Sequence, residues 1–166
     1  ENIKKLKEEF PDYKIIPCSA ESELALKEAA KHELLQYIPG DKSFTVTDES
    51  KLSPQQLNGL QVIKKTVLDE FGNTGVQQAL NTAVFDLLGY IAIFPGGVNN
   101  LKDQHGNVLP DCFLLPPNST ALDFAFRLHT DFGKNFIKAI NVRTKLPVGK
   151  DHPLEHRDII EIMVKK

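Results

Sequence analysis

The chain has 166 residues, 41% of them hydrophobic and 25% charged, with a formal net charge of −2. That is enough for one or two small globular domains, and the slight acidity excludes a purely electrostatic nucleic-acid binder. With only two cysteines, Cys18 and Cys112, far apart in sequence, there is no disulfide framework and no Cys-x-x-Cys metal site, which fits a reducing compartment.

The charge is unevenly spread. Residues 1–89 carry 10 Lys/Arg against 14 Asp/Glu, and residues 90–166 carry 10 against 8, so an anion-binding role is expected in the C-terminal half. No apolar run approaches the roughly 18 residues of a membrane span. With no leader pattern visible, no membrane partner and a cytoplasmic location are expected.

The chain opens on Glu1 inside a charged helical pattern, as the tail of something longer would. Ile3, Leu6 and Phe10 have helical spacing, and Pro11-Asp12 breaks that helix. Residues 13–17 read as a short apolar strand, followed by a strand-to-helix turn at Cys18-Ser19-Ala20. The next helix begins with Glu21 and Glu23, which suit the positive end of a helix dipole. It is expected to bury Leu26, Ala30, Leu34 and Ile38 on one face and to stop at Pro39-Gly40. A lone strand and helix cannot form a sheet covered on both faces, so this βα unit reads as the end of a larger α/β domain.

Residues 41–52 read as polar loop. Ser53-Pro54-Gln55-Gln56 then has an N-cap serine, proline at the first helical position and glutamine at the third. The helix it starts runs past Leu57, Leu60, Val67 and Leu68 to Phe71 and ends at Gly72. Thr74-Gly75-Val76-Gln77 repeats the pattern and opens a second helix. Its apolar stripe is Val76, Leu80, Ala83, Val84, Leu87 and Leu88, ended by Gly89. Together they are expected to form an αα-hairpin, offering a protein-binding face if the stripe is left uncovered.

From Tyr90 the pattern changes to short strands. Residues 90–94 and 112–115 read as strands, with turn chemistry at Asp103-Gln104-His105-Gly106-Asn107 between them. Thr120 with Asp123 is a capping pair for a short helix expected to bury Leu122, Ala125, Phe126 and His129 or their neighbours. Residues 136–142 read as a strand. In 159–164, Ile160, Ile162 and Val164 alternate with Glu161 and Met163, the period-2 pattern of a strand with one buried face.

This order, with the segment Pro116-Pro117-Asn118-Ser119-Thr120-Ala121-Leu122-Asp123-Phe124-Ala125-Phe126-Arg127-Leu128-His129 at its centre, resembles the TGS domain. That resemblance implies an α+β fold, a ubiquitin-like β-grasp over residues 90–166. TGS domains occur in threonyl-tRNA synthetases, in (p)ppGpp synthetase/hydrolases and in Obg-related GTPases. A TGS domain that closes the chain is most similar to the last group, and most to an archaeal member of its Obg-like branch. Ile15-Ile16-Pro17-Cys18-Ser19-Ala20 resembles the fifth guanine-nucleotide motif of such a GTPase. On this reading residues 1–40 end a Ras-like G domain and residues 41–89 are a helical hairpin or linker.

The resemblance implies nucleotide contacts at Ser19, which shapes the turn, and Ala20, whose backbone N–H meets the guanine O6. It implies GTP and Mg²⁺ for the intact parent, and RNA, tRNA, the ribosome or a translation factor as partners. Glu21 stands where many relatives have a lysine against the base. No Gly-x-x-x-x-Gly-Lys-[Ser/Thr] occurs: Gly133-Lys134 and Gly149-Lys150 have Leu128 and Thr144 where the first glycine belongs. The Asn-Lys-x-Asp motif is missing too. No cofactor and no catalytic residue are therefore expected in this chain, and hydrolysis is expected only of the parent.

Arg127, Lys134, Lys138, Arg143, Lys145 and Lys150 are the candidate cations for RNA phosphate or a protein partner. The alternative is an intramolecular regulator or docking module, acting on the rest of the parent G domain and binding no nucleic acid. His129 reads as a packing and hydrogen-bonding residue. His152 and His156 have the i, i+4 spacing of a metal pair, but Pro153 disfavours the helix that would align them, so no metal site is expected.

Overall fold

A computed structural model describes residues 2–165. The chain divides into two compact units, residues 1–83 and 84–166.

The first unit is mostly helical. Helix α1 (Asn2–Glu9) buries no side chain. Residues 13–17 differ from the expected strand: they join no sheet, because no described strand lies beside them to exchange backbone hydrogen bonds. Helix α2 (Ala20–Lys31) ends well before Pro39. Glu33 adopts a left-handed φ of 59°, which stops the helix and turns Leu35 into the core, while Ile38 is left 67% exposed. The expected loop contains a strand. Short strands β1 (Leu35–Gln36) and β2 (Thr45–Val46) pair antiparallel, and a 3₁₀ turn follows at Glu49–Lys51.

Helix α3 (Pro54–Ile63) starts with the expected capping box: Gln56 N–H donates to Ser53 Oγ (3.2 Å) and Ser53 N–H to Gln56 Oε1 (2.8 Å). It continues through a π-helical stretch, Lys64–Leu68, into α4 (Asp69–Phe71), and Gly72 at φ 80° ends it. Helix α5 (Val76–Asn81) continues as a second π-helical stretch, Thr82–Leu87. Its start departs from the sequence pattern: Gly75, not Thr74, is the N-cap, and no side chain caps it. Leu26, Leu35, Leu52, Leu60 and Leu68 form the core of this unit.

In the second unit, strands β3 (Ile91–Pro95), β4 (Phe113–Leu115), β5 (Phe136–Asn141), β6 (Leu146–Val148) and β7 (Ile159–Val164) form one sheet in the order β4-β3-β7-β5-β6. The central pair β3–β7 is parallel and the other pairs are antiparallel. This is the β-grasp, and its one unforeseen strand is β6, a three-residue edge strand carrying Pro147. Proline suits an edge because it has no N–H to donate across a ladder.

Helix α6 (Ala121–Leu128) is opened by Thr120 and Asp123, each side chain accepting the other's backbone N–H. That cap sets the phase of the helix. Ala121, Phe124 and Ala125 face inward, whereas Phe126, expected inside, is 48% exposed. Phe124, fully buried, meets Phe113 edge-on with ring centres 5.9 Å apart, and Ile93, Leu115, Ala139, Leu154 and Ile160 complete the core. A short helix, α7 (Thr130–Lys134), turns the chain into β5.

Candidate functional site

The candidate base-recognition loop, residues 15–20, leads into α2 with Ser19 at the N-cap position. The Ser19 hydroxyl does not cap the helix; it donates to Ser22 Oγ at 2.8 Å. The first N–H groups of a helix have no acceptor within it, so the amides at Ala20, Glu21 and Ser22 point out of the helix start.

This loop rests on the turn between α4 and α5. Ser19 N–H donates to the Thr74 carbonyl at 2.8 Å. Gly75, at φ 81°, lies so close to Pro17 that a β-carbon there would collide with the Pro17 carbonyl oxygen. Asn73 Oδ1 accepts the Gly75 N–H at 2.7 Å and closes the turn. Pro17, Cys18 and Ser19 together with Val67, Phe71, Asn73 and Thr74 line a cavity of about 170 Å³.

A second set of bonds ties the first turn of α2 to the same place. Glu23 is buried, 6% exposed, and its Oε2 accepts both the Thr74 hydroxyl (2.6 Å) and the Tyr37 hydroxyl (2.7 Å). Two donors on one carboxylate oxygen compensate the removal of that group from water. Burial raises the Tyr37 phenol above its ordinary value of 10.0, and the bond to Glu23 raises it further, while Thr74 acts in the opposite direction. In the sequence Glu23 reads only as a dipole residue and Thr74 only as a cap. Glu23 and Thr74 stand 51 positions apart and no local pattern joins them.

The six candidate cations are all exposed and lie on different elements and turns. Lys138 lies on β5 opposite Met163, at the end of the sheet where Lys134 closes α7. Arg143 and Lys145 lie beyond the far end of β5 in the turn to β6, where the Arg143 guanidinium donates to the Arg157 carbonyl at 3.1 Å. Three strand residues, Ala139 to Asn141, lie between Lys138 and that turn, roughly 10 Å of strand. Arg127 lies on α6, and the Lys150 carbonyl accepts Leu122 N–H at the start of that helix.

The histidines have structural partners. His129 Nδ1 accepts Asp131 N–H at the start of α7 (3.1 Å). His156 Nδ1 accepts Ala92 N–H (3.1 Å), and its ring sits edge-on to Phe85 with centres 4.8 Å apart. Among the described residues no group of three or more His, Cys, Asp or Glu could hold a metal ion. Nor is any described helix long and apolar enough to cross a membrane.

A β-grasp unit following a helix start of this kind defines the class. Residues 1–98 match the family described as Obg-like GTPase YGR210-like, G4 motif-containing domain, and residues 102–164 match the TGS domain. The chain belongs to the Obg-like GTPase family. It is 46% identical over 163 residues to the uncharacterized GTP-binding protein MJ1332 of Methanocaldococcus jannaschii, covering 98% of this chain and 41% of that protein. It is also similar to the crystal structure of a GTP binding protein from Pyrococcus horikoshii OT3, with 44% identity and a TM-score of 0.70. That likeness covers 99% of this chain and 42% of the other. The chain thus spans about two-fifths of the length of these relatives.

Proposed function

We propose that this chain supplies the base-facing loop and the TGS module of a GTP-binding protein, with Ser19 and Ala20 at the guanine edge and the TGS unit contacting RNA or the ribosome. The nucleotide part is supported by the amides at the start of α2, which no side chain caps and which follow directly on the segment that resembles the fifth guanine motif. Such an N–H is the natural donor for a purine carbonyl. The sequence holds no phosphate-cradle motif, and among the described residues no group of three or more His, Cys, Asp or Glu could hold a metal ion, so hydrolysis is proposed only for the intact protein.

For the RNA contact, the supporting features are the exposed cations of the second unit, with Arg143 and Lys145 projecting on one turn. Phosphate contacts would make such binding salt-sensitive and sequence-independent. One observation favours a second reading, a regulatory or protein-docking module: the six cations are spread over different elements and turns.

Co-sedimentation with ribosomal subunits and total tRNA, at about 50 and 200 mM salt, separates these readings. The RNA reading expects binding that weakens steeply with salt and falls when Lys138, Arg143 and Lys145 are replaced by alanine. Absence of binding at the lower salt removes it and leaves the regulatory reading, in which deleting the TGS unit from the full-length protein alters GTP turnover.

A further inference from the structure

A close backbone approach in the first unit joins two segments far apart in sequence: the loop before α2 and the turn before α5. Three independent contacts hold them. The Thr74 carbonyl fixes the Ser19 amide immediately before Ala20. The bare Gly75 backbone occupies the space beside the Pro17 carbonyl that any side chain would fill. The Thr74 hydroxyl, 1% exposed, reaches Glu23 one turn into the helix.

We infer that the turn at Asn73, Thr74 and Gly75 is a positioning clamp for purine recognition: it holds the Ala20 amide in a fixed direction, so the helical segment sets base selectivity. This deepens the proposed function and rests on its assignment of Ser19 and Ala20 to the base edge. A single N–H discriminates between bases only if it is already aimed, since a mobile loop must first be ordered at the expense of affinity. The loop has no sheet neighbour among the described residues, so the clamp supplies the rigidity that a ladder would otherwise give. Gly75 follows from the same requirement. Its left-handed φ and its approach to Pro17 both exclude a β-carbon.

None of these three residues touches the base; they act through the loop. The test compares two nucleotides on the full-length protein: GDP, and the diphosphate of 2-aminopurine riboside, which keeps the phosphates and the 2-amino group but lacks O6. The unaltered protein is expected to prefer GDP. Thr74→Val and Gly75→Ala are expected to shrink that preference about fivefold or more, the scale of one hydrogen bond. Their affinity for the 2-aminopurine nucleotide should stay within about twofold, which a general loss of structure would not leave unchanged. Thr74→Ser, which keeps the hydroxyl, should restore the preference.

If Thr74→Val and Gly75→Ala keep the full GDP preference, the clamp is overturned while the base contact stands. An unaltered protein that binds both nucleotides equally overturns the base contact itself, and the clamp with it. Should those two variants fail to fold, the half-buried Asn73 decides. Asn73→Ala removes only the acceptor for the Gly75 amide. A diminished GDP preference in that variant supports the clamp, and an unchanged one overturns it.

Discussion

The two units of this chain are held together by different means. In the second, a five-stranded sheet closes on α6, and its centre is apolar, with Phe124 and Ile93 fully buried and Ile160 1% exposed. Among its described residues the first has only a two-residue strand pair, and its leucine core lies alongside a buried polar network in which Glu23 is held by Thr74 and Tyr37. An apolar core stabilises without directing anything in particular. A buried carboxylate with two specific donors costs desolvation and fixes geometry in return. The polar network lies beside the loop proposed to face the nucleotide, and the apolar core lies in the unit proposed to meet a partner.

Substitutions in the two places should therefore behave differently. The largest effect belongs to the sheet unit. Phe124→Ala removes a fully buried ring and its contact with Phe113, and should cost about 3–5 kcal/mol in urea unfolding of that unit. A loss below about 1 kcal/mol would show that the core is not centred there. In the helical unit, Thr74→Val takes one of two donors from a buried carboxylate and should cost about 1–3 kcal/mol. Equal losses of stability and no change in nucleotide selectivity would erase the contrast between the units.

Smaller still is the cap of α6. Thr120→Ala removes the acceptor for Asp123 N–H and should cost about 1 kcal/mol, measured against the unaltered protein in the same denaturant series.

The smallest effect is a pH dependence. Because the folded Tyr37 phenol is raised above 10.0, the stabilisation it contributes is complete below that value and is lost as pH rises through the folded value. Alkaline unfolding should flatten in Tyr37→Phe. An identical alkaline profile in the variant would remove Tyr37 from the network's energetics.

The sheet unit was largely legible in the sequence because its signals are local. Thr120 and Asp123 cap one helix from three residues apart, and Ile160 and Ile162 alternate along one strand. Strand β6 escaped because three residues with a central proline carry too little period to register. In the helical unit, Ser53 and Gln56 marked α3 for the same local reason. Leu34 and Ile38 imitated a helix face because the stop at Glu33 depends on a left-handed φ in a residue type that does not advertise it. Strand β1 pairs for only two residues, too short for alternation to show. Ser19 and Ala20 stand out only through the resemblance of residues 15–20 to the fifth guanine motif. What holds them does not stand out, since Thr74 and Gly75 reach Ser19 and Pro17 only through the folded path of the chain.

On the proposed function, the start of α2 faces the purine of a bound guanine nucleotide. Amide hydrogen exchange of the full-length protein, with and without GDP, tests it most directly. Amides of residues 18–22 are expected to slow markedly when GDP binds, with Ala20 among them. Bound GDP that leaves those amides exchanging at their free rate would contradict it.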